Sequence, residues 1–201
     1  MARRSGSNGE RTAEAVRDAA IRLIAREGFA AVSMRQIAAE VGVQAGALYL
    51  YTPDKQTLLA GIMEDHLDRL MAAWRVAPGA EGAEARLDAF VRFHIRYHLE
   101  ARDEVFISYM ELRNLTPENF ARIEGKRRAY EDVLETILQA GVAEGVFAVP
   151  DTRVATRGLI ALLTGVTTWF REDGPMDVAA LTDAYLGMAR GAVAAPARVP
   201  A

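Results

Sequence analysis

The side chains that could do chemistry in this chain are few and clustered. The stretch GVQAGALYLYTPDKQTLL, residues 42 to 59, sets Tyr49, Tyr51 and Lys55 behind a tight glycine turn. Lys55 is one of two lysines, against twenty-two arginines, in the whole protein. A second group is the histidine pair His94 and His98, one helical turn apart, a spacing that can bring two imidazoles to one metal ion. No acid or further histidine completes a ligand set beside them, and His66 is remote in sequence, so polar tips on a packed face are the better reading and no metal is expected. Cysteine is absent, which removes disulfides, thiolate metal sites and cysteine nucleophiles. No nucleophile elbow, no phosphate-cradling glycine loop and no isolated carboxylate pair is present. No catalytic residue and no cofactor is therefore expected.

The 201 residues, 51% hydrophobic and 25% charged, are enough to bury a substantial core and have the balance of a soluble globular protein. No apolar run approaches the roughly 20 residues that a membrane-spanning helix needs. The N-terminus MARRSGSNGERTAEAV lacks the apolar centre of a signal peptide, so the expected location is the cytoplasm. Residues 1 to 60 carry eight basic against six acidic side chains, which leaves the remainder at about −5 of the total −3. A mildly basic head on an acidic body suits binding of nucleic acid by the head. The arginine and alanine bias reads as the codon usage of a GC-rich bacterial genome.

The elements that must position these groups are helical almost throughout. From a cap at Thr12, Val16, Ala19, Ala20, Leu23 and Ile24 recur at three and four until Gly28 ends the run. Ser33 caps a second helix with Met34, Ile37, Ala38 and Val41 inward, and Gly42 supplies the turn. A short third helix spans 45 to 51, closed by Pro53. Asp54 caps a fourth, with Leu58, Leu59, Ile62, Met63, Leu70, Met71 and Trp74 as its stripe. A Pro/Gly/Ala connector at about 75 to 85 leads to a helix facing inward through Leu87, Phe90, Val91, His94, Ile95 and His98. Another follows near 103 to 114. Thr116, Pro117 and Glu118 start a long helix toward Gly145, interrupted by Gly125 and Gly141. Two last helices, 152 to 172 and 178 to 194, bury Leu159, Leu162, Leu163, Val166, Trp169 and Phe170, then Leu181, Tyr185, Leu186 and Met188. The fold class is all-α with about nine helices: a flexible arm at 1–11, a head at 12–58, a larger helical domain at 59–194 and a flexible tail at 195–201.

A helix of about nine residues, a glycine turn and a short second helix form the helix-turn-helix, whose second helix enters the DNA major groove. The residues from AAIRLIAREGF to DKQTLLAGI add features in fixed order: EGF ending helix one, VSMRQIA opening helix two, GV at the turn, LYLY on helix three and DK..LL opening helix four. This segment resembles the N-terminal domain of the TetR family of bacterial transcriptional regulators. The resemblance implies that Tyr49, Tyr51 and Lys55 reach phosphates of double-stranded operator DNA, and that Ser33 and Arg35 are placed for phosphate or groove contacts. It gives base reading to Gln44, Ala45 and Gly46, of which only Gln44 can hydrogen-bond. Thr52 stands where the family commonly has an aromatic, and Pro53-Asp54 replaces a small or polar pair, so a slightly looser junction of helices three and four is expected. Arg3 and Arg4 in the arm could track into a minor groove, although a disordered terminus is the simpler expectation.

The same resemblance implies a C-terminal domain that dimerises through its last two helices and encloses a small-molecule effector. Trp74, Phe90, Phe93, His94, Tyr97, His98, Phe106, Tyr109, Met110, Tyr130 and Trp169 are the candidate lining, mostly apolar with a few polar handles. Residues 109 to 151 resemble regulators of fatty-acid and acyl-CoA catabolism. That points to an acyl-CoA or fatty-acid effector, with Arg127, Arg128 or Arg157 available to its anionic end. The expected protein is a homodimeric repressor released from its operator by such a ligand. The rival reading is a helical metal-binding or enzymatic protein with an incidental helix-turn-helix.

Overall fold

A computed structural model of the chain describes residues 6–77 and 79–194. Its regular elements are helices: α1 (Gly6–Glu27), α2 (Met34–Val41), α3 (Ala45–Leu48), α4 (Lys55–Arg75), α5 (Ala83–Glu100), α6 (Arg102–Met110), a 3-10 turn (Leu112–Asn114), α7 (Pro117–Ala143), α8 (Thr152–Thr164), α9 (Val166–Trp169) and α10 (Val178–Val193). Taking α8 and α9 as one helix broken at Gly165 gives the expected nine among the described residues. Extended backbone pairs there only at an isolated bridge between Phe147 and Ala194.

Two helix boundaries differ from expectation. α1 begins at Gly6, ahead of the expected cap at Thr12, so residues 6–11 are helical. Gly6–Arg11 contains no proline, and the propensity penalties of its small polar residues, about 1 kcal/mol or less each, do not stop propagation from the amphipathic turns that follow. The segment expected as one helix near 103 to 114 breaks at Glu111, between α6 and the 3-10 turn. Arg3, Arg4 and the tail 195–201 lie outside the described residues.

The chain divides into two compact units. The first runs to Asp68 and takes in Asp103–Gly125; the second comprises Arg69–Arg102 and the chain from Lys126 onward. In the first unit, Val16, Ala19, Ala20, Leu23 and Ile24 of α1 are buried as their spacing predicts, with Ile37 and Ala38 of α2, Leu48 of α3 and Leu58, Leu59, Ile62 and Met63 of α4. Each large aliphatic side chain so buried contributes roughly 1.5–3 kcal/mol. Arg17 ties α1 to α4, pairing with Asp65 and donating to the Ile62 carbonyl at 3.3 Å.

In the second unit α5 packs against α8, α9 and α10. Leu87, Phe90, Val91, His94, Ile95 and His98 are all buried on it. Arg190 of α10 donates Nε to Asp88 of α5 at 2.9 Å. Among residues assigned to buried faces, Met71, Trp74 and Leu162 are only half-buried, and Trp169 and Met188 are 50% and 45% exposed. Gly165 keeps αR geometry, and the stripe of Leu159 and Leu163 continues to the buried Val166 and Phe170, so Trp169 lies about a quarter turn to one side of it. It lies against Phe170 and Tyr185, with ring centroids 6.3 and 6.5 Å away.

Candidate nucleic-acid interface

The presentation of α3 begins at the start of α2. Ser33 has extended backbone and closes a reciprocal capping box with Gln36. The Gln36 amide donates to Ser33 Oγ at 3.2 Å, and Gln36 Oε1 accepts from the Ser33 amide at 2.7 Å and its hydroxyl at 2.8 Å. The spacing Ser-x-x-Gln carried that signal in the sequence. Ser33 is therefore engaged within the protein, while Arg35 beside it is exposed. At the other end Gly42 adopts φ +76°, and the Gly42 and Val43 amides return to the carbonyls of Ala39 and Ala38 at 3.1 and 2.9 Å. A Cβ at that left-handed position would be strained, which is why the turn is glycine.

The chain re-enters helix at once. Gln44 is the extended N-cap of α3, its side chain makes no cap hydrogen bond, and it is exposed. Ala45 is half-buried and Gly46 exposed, with open space where a Cβ would stand. The α-helix proper is shorter than the expected 45–51. It ends at Leu48, and turn hydrogen bonds from the Tyr51 and Thr52 amides to the Leu48 carbonyl, at 2.9 and 3.1 Å, carry the coil onward. Leu48 anchors the element in the core, while Tyr49 and Tyr51 are 54% and 38% exposed. Leu50 between them is 82% exposed. Sequence reasoning passed over it, although an apolar residue two positions from the buried Leu48 falls off the inward face of a helix.

Lys55 opens α4. Asp54 before it accepts the Thr57 amide at 2.7 Å, and this bond holds its carboxyl below the usual carboxylate range. Thr52 is buried and donates Oγ1 to the Asp54 carbonyl at 3.1 Å, so a hydrogen bond occupies the junction where the family aromatic is missing. The Lys55 ammonium donates to the Phe29 carbonyl and stands 4.1 Å from the centroid of the Phe29 ring. Partial burial lowers the ammonium's pKa, and the charge of Glu111 opposes that shift.

The candidate effector residues divide between the units. Phe106, Tyr109 and Met110 belong to the first, where Phe106 and Met110 are exposed. In the second, Trp74 meets Phe90 and Phe93 edge-on at 5.4 and 5.2 Å, Phe93 stacks on Tyr97 at 5.6 Å, and Phe90 lies 5.4 Å from Tyr130. Trp169 is not part of this group. At its centre His94 is fully buried, with Nδ1 3.0 Å from the Tyr130 hydroxyl and Nε2 3.1 Å from the Thr164 hydroxyl. His98 Nδ1 donates to the His94 carbonyl at 2.9 Å, and the two imidazoles stack 3.6 Å apart. Burial, and secondarily the neighbouring His98, push the His94 pKa well below 6.5. Both nitrogens of His94 are thus committed to hydroxyl groups, and the rings lie parallel instead of converging on a metal ion. A polar cleft of about 120 Å³ between α7 and α8 sets Arg128, Arg153 and Arg157 against Glu131, Asp132 and Glu135.

This geometry can be set beside known proteins. Residues 16–62 match the bacterial regulatory proteins of the tetR family, and residues 80–193 match the tetracyclin repressor-like C-terminal domain. The chain belongs to the TetR family. Among TetR relatives, the HTH-type transcriptional repressor KstR2 of Rhodococcus jostii (strain RHA1) is 28% identical over 196 residues, covering 96% of this chain and 95% of the relative. The fatty acid metabolism regulator protein of Bacillus subtilis (strain 168) is 24% identical over 172 residues, 84% of this chain and 89% of its own. A crystal structure of a bacterial regulatory protein in the tetR family from Rhodococcus RHA1 superposes with a TM-score of 0.86 at 30% identity, covering 92% of this chain and 98% of that one. AibR in complex with isovaleryl coenzyme A and operator DNA gives 0.81 at 28% identity, covering 88% and 97%. The protein is a helix-turn-helix transcriptional regulator that binds DNA. No helix among the described residues is long and apolar enough to cross a membrane.

Proposed function

We propose that this TetR-family protein is a homodimeric, non-enzymatic repressor that leaves its operator when it binds an acyl-CoA or a related apolar acyl ligand. The observation that carries the reading is one surface, Gln44 to Lys55, where a glycine-terminated α2 delivers a short helix with Gln44, Gly46, Tyr49 and Tyr51 exposed while Leu48 is locked in the core. In this reading Tyr49, Tyr51, Lys55, Ser33 and Arg35 position the protein on phosphates, and Gln44, Ala45 and Gly46 face base edges. Leu50 adds an apolar contact to sugar or a thymine methyl. The head corresponds to residues 12–58 and the effector and dimer functions to 59–194. The protein works where the operator is, in the cytoplasm.

Exposed apolar side chains on α8 to α10, Val154, Trp169, Val178 and Met188, support a dimer face on those helices. Two-fold symmetry then sets two half-sites about one duplex turn, or a multiple, apart. The aromatic cluster around His94, Tyr130 and Thr164 supports an apolar effector with a few polar contacts. Arg128 and Arg157, which line the polar cleft between α7 and α8, are available to an anionic group, with Arg127 beside Arg128 on α7. The relative crystallised with isovaleryl coenzyme A and operator DNA supports this ligand class. Regulation follows if ligand affinity differs between DNA-competent and incompetent states.

The test is to select bound fragments of genomic DNA with purified protein and challenge the complexes with acyl-CoAs of short to long chain. Release by at least one chain length is expected. Fragments that stay bound across the whole series would remove the acyl-CoA ligand while leaving the DNA reading standing.

A further inference from the structure

Glu111, at the break between α6 and the 3-10 turn, is only 6% exposed although it is a carboxylate. Burial of such a group is unfavourable unless hydrogen bonds replace its water. Here they do: Oε1 accepts the Phe29 amide at 3.1 Å, and Oε2 accepts the Asn114 side-chain amide. A Cβ on Gly28, the φ +84° residue that ends α1, would stand 3.6 Å from Glu111 Oε1, so the carboxylate also lies directly on the turn leaving that helix. The same short segment grips the start of α4. Gln56 donates to the Asn114 carbonyl, and its Oε1 accepts the Thr116 amide at 3.2 Å. Residues 111 to 116 thus hold two places at once, the peptide of Phe29 and the first turn of α4. Between them lies Lys55, whose ammonium rests on the Phe29 carbonyl and ring.

We propose that Glu111 is a positioning residue for DNA binding: by holding the N–H of Phe29, it fixes the backbone of the residue whose carbonyl, in the next peptide unit, seats the Lys55 ammonium for presentation to a backbone phosphate. The inference rests on the reading of Lys55 as a phosphate contact. An ammonium has three donors and the Phe29 carbonyl takes one, which leaves two for phosphate oxygens on a side chain that is only half-buried. Seating the long side chain in advance removes rotamer freedom that would otherwise be lost on binding DNA. The negative charge of Glu111 also favours the charged form of a lysine that partial burial disfavours.

Full-length protein carrying Glu111→Ala, Glu111→Gln, Lys55→Ala and each pair with Lys55→Ala tests this by duplex affinity across a salt series, with melting temperature followed in parallel. Glu111→Ala is expected to weaken binding roughly three- to tenfold when Lys55 is present and to change it less than about 1.5-fold in the Lys55→Ala background. Glu111→Gln keeps an acceptor for the Phe29 amide, so it should recover part of the loss with a near-native melting temperature. It also carries the test if the alanine variant does not fold, since its smaller loss should likewise vanish without Lys55. Equal losses in both backgrounds would overturn the proposal by showing that Glu111 only stabilises the head, and so would no loss in either. If Lys55→Ala itself leaves affinity and salt slope unchanged, the phosphate assignment of Lys55 fails first, and that result is separately visible.

Discussion

Gly141→Ala is expected to destabilise the protein even though alanine is the better helix former. Gly141 lies near the C-terminal end of α7, and a Cβ there would fall 1.9 Å from Phe147 Cδ2 and 2.3 Å from Cε2. The ring has little freedom to give way. The Phe147 amide donates to the Gly141 carbonyl at 3.0 Å, and the next amide, of Ala148, donates to Val193 at 2.9 Å, so the backbone is held on both sides. Phe147 is also buried. Replacing an interior helical glycine by alanine gains about 1 kcal/mol. Overpacking costs typically 1–3 kcal/mol, and outright eviction of the ring approaches the 3–5 kcal/mol of a Phe→Ala change. The net expectation is a loss of about 1–3 kcal/mol. Phe147→Ala relieves the clash, and in that background Gly141→Ala should instead stabilise by up to about 1 kcal/mol. The assay is thermal or urea unfolding followed by far-UV circular dichroism at one fixed protein concentration, on both single variants and the double. A neutral or stabilising Gly141→Ala with Phe147 present would refute the reasoning. Gly125→Ala is the internal control: nothing lies within 4 Å of its Cβ position, so this change should stabilise by roughly 0.5–1 kcal/mol.

Two further outcomes are expected. Because burial disfavours the His94 imidazolium, the unfolded chain takes up this proton near pH 6.5 while the folded one does so only well below. The His94 contribution is therefore complete above pH 6.5 and declines by about 1.4 kcal/mol per unit as pH falls below it; His94→Gln should flatten the stability profile between pH 6.5 and 5, and an unchanged slope would contradict the buried neutral histidine. Trp169→Glu with Met188→Glu places charges on the exposed apolar surface of α9 and α10 and should shift sedimentation from dimer toward monomer; a variant that sediments as the native dimer would exclude that face.

What could be read from the sequence was whatever local periodicity and end signals determine. The stripes of α1 and α5, Ile37 and Ala38 of α2, and the caps at Ser33 and Asp54 stand where spacing put them, because apolar burial and unpaired amide groups act within a few residues. What escaped depends on contacts distant in sequence. Glu111 reads as an ordinary solvated acid in a helical segment until Phe29, eighty-two residues earlier, supplies its amide. Gly141 and Gly125 are indistinguishable in the sequence, and only the Phe147 ring separates them. Trp169 follows the half-buried Leu162 by seven residues, at the edge of the stripe through Leu159, Leu163, Val166 and Phe170, where only tertiary packing decides whether a side chain is covered. In the candidate interface the exposed residues were legible because the motif places them in order, whereas the seat of Lys55 on Phe29 was not.

The most direct measurement of the central claim is duplex affinity as a function of salt for the native protein and for the Tyr49→Ala, Lys55→Ala double variant, on operator and unrelated sequences. The account predicts a linear fall of log K with log salt for the native protein. For the double variant it predicts weaker binding on every sequence and a slope reduced by about 1. Binding by the double variant with native affinity and native slope would contradict the assignment of this surface to DNA.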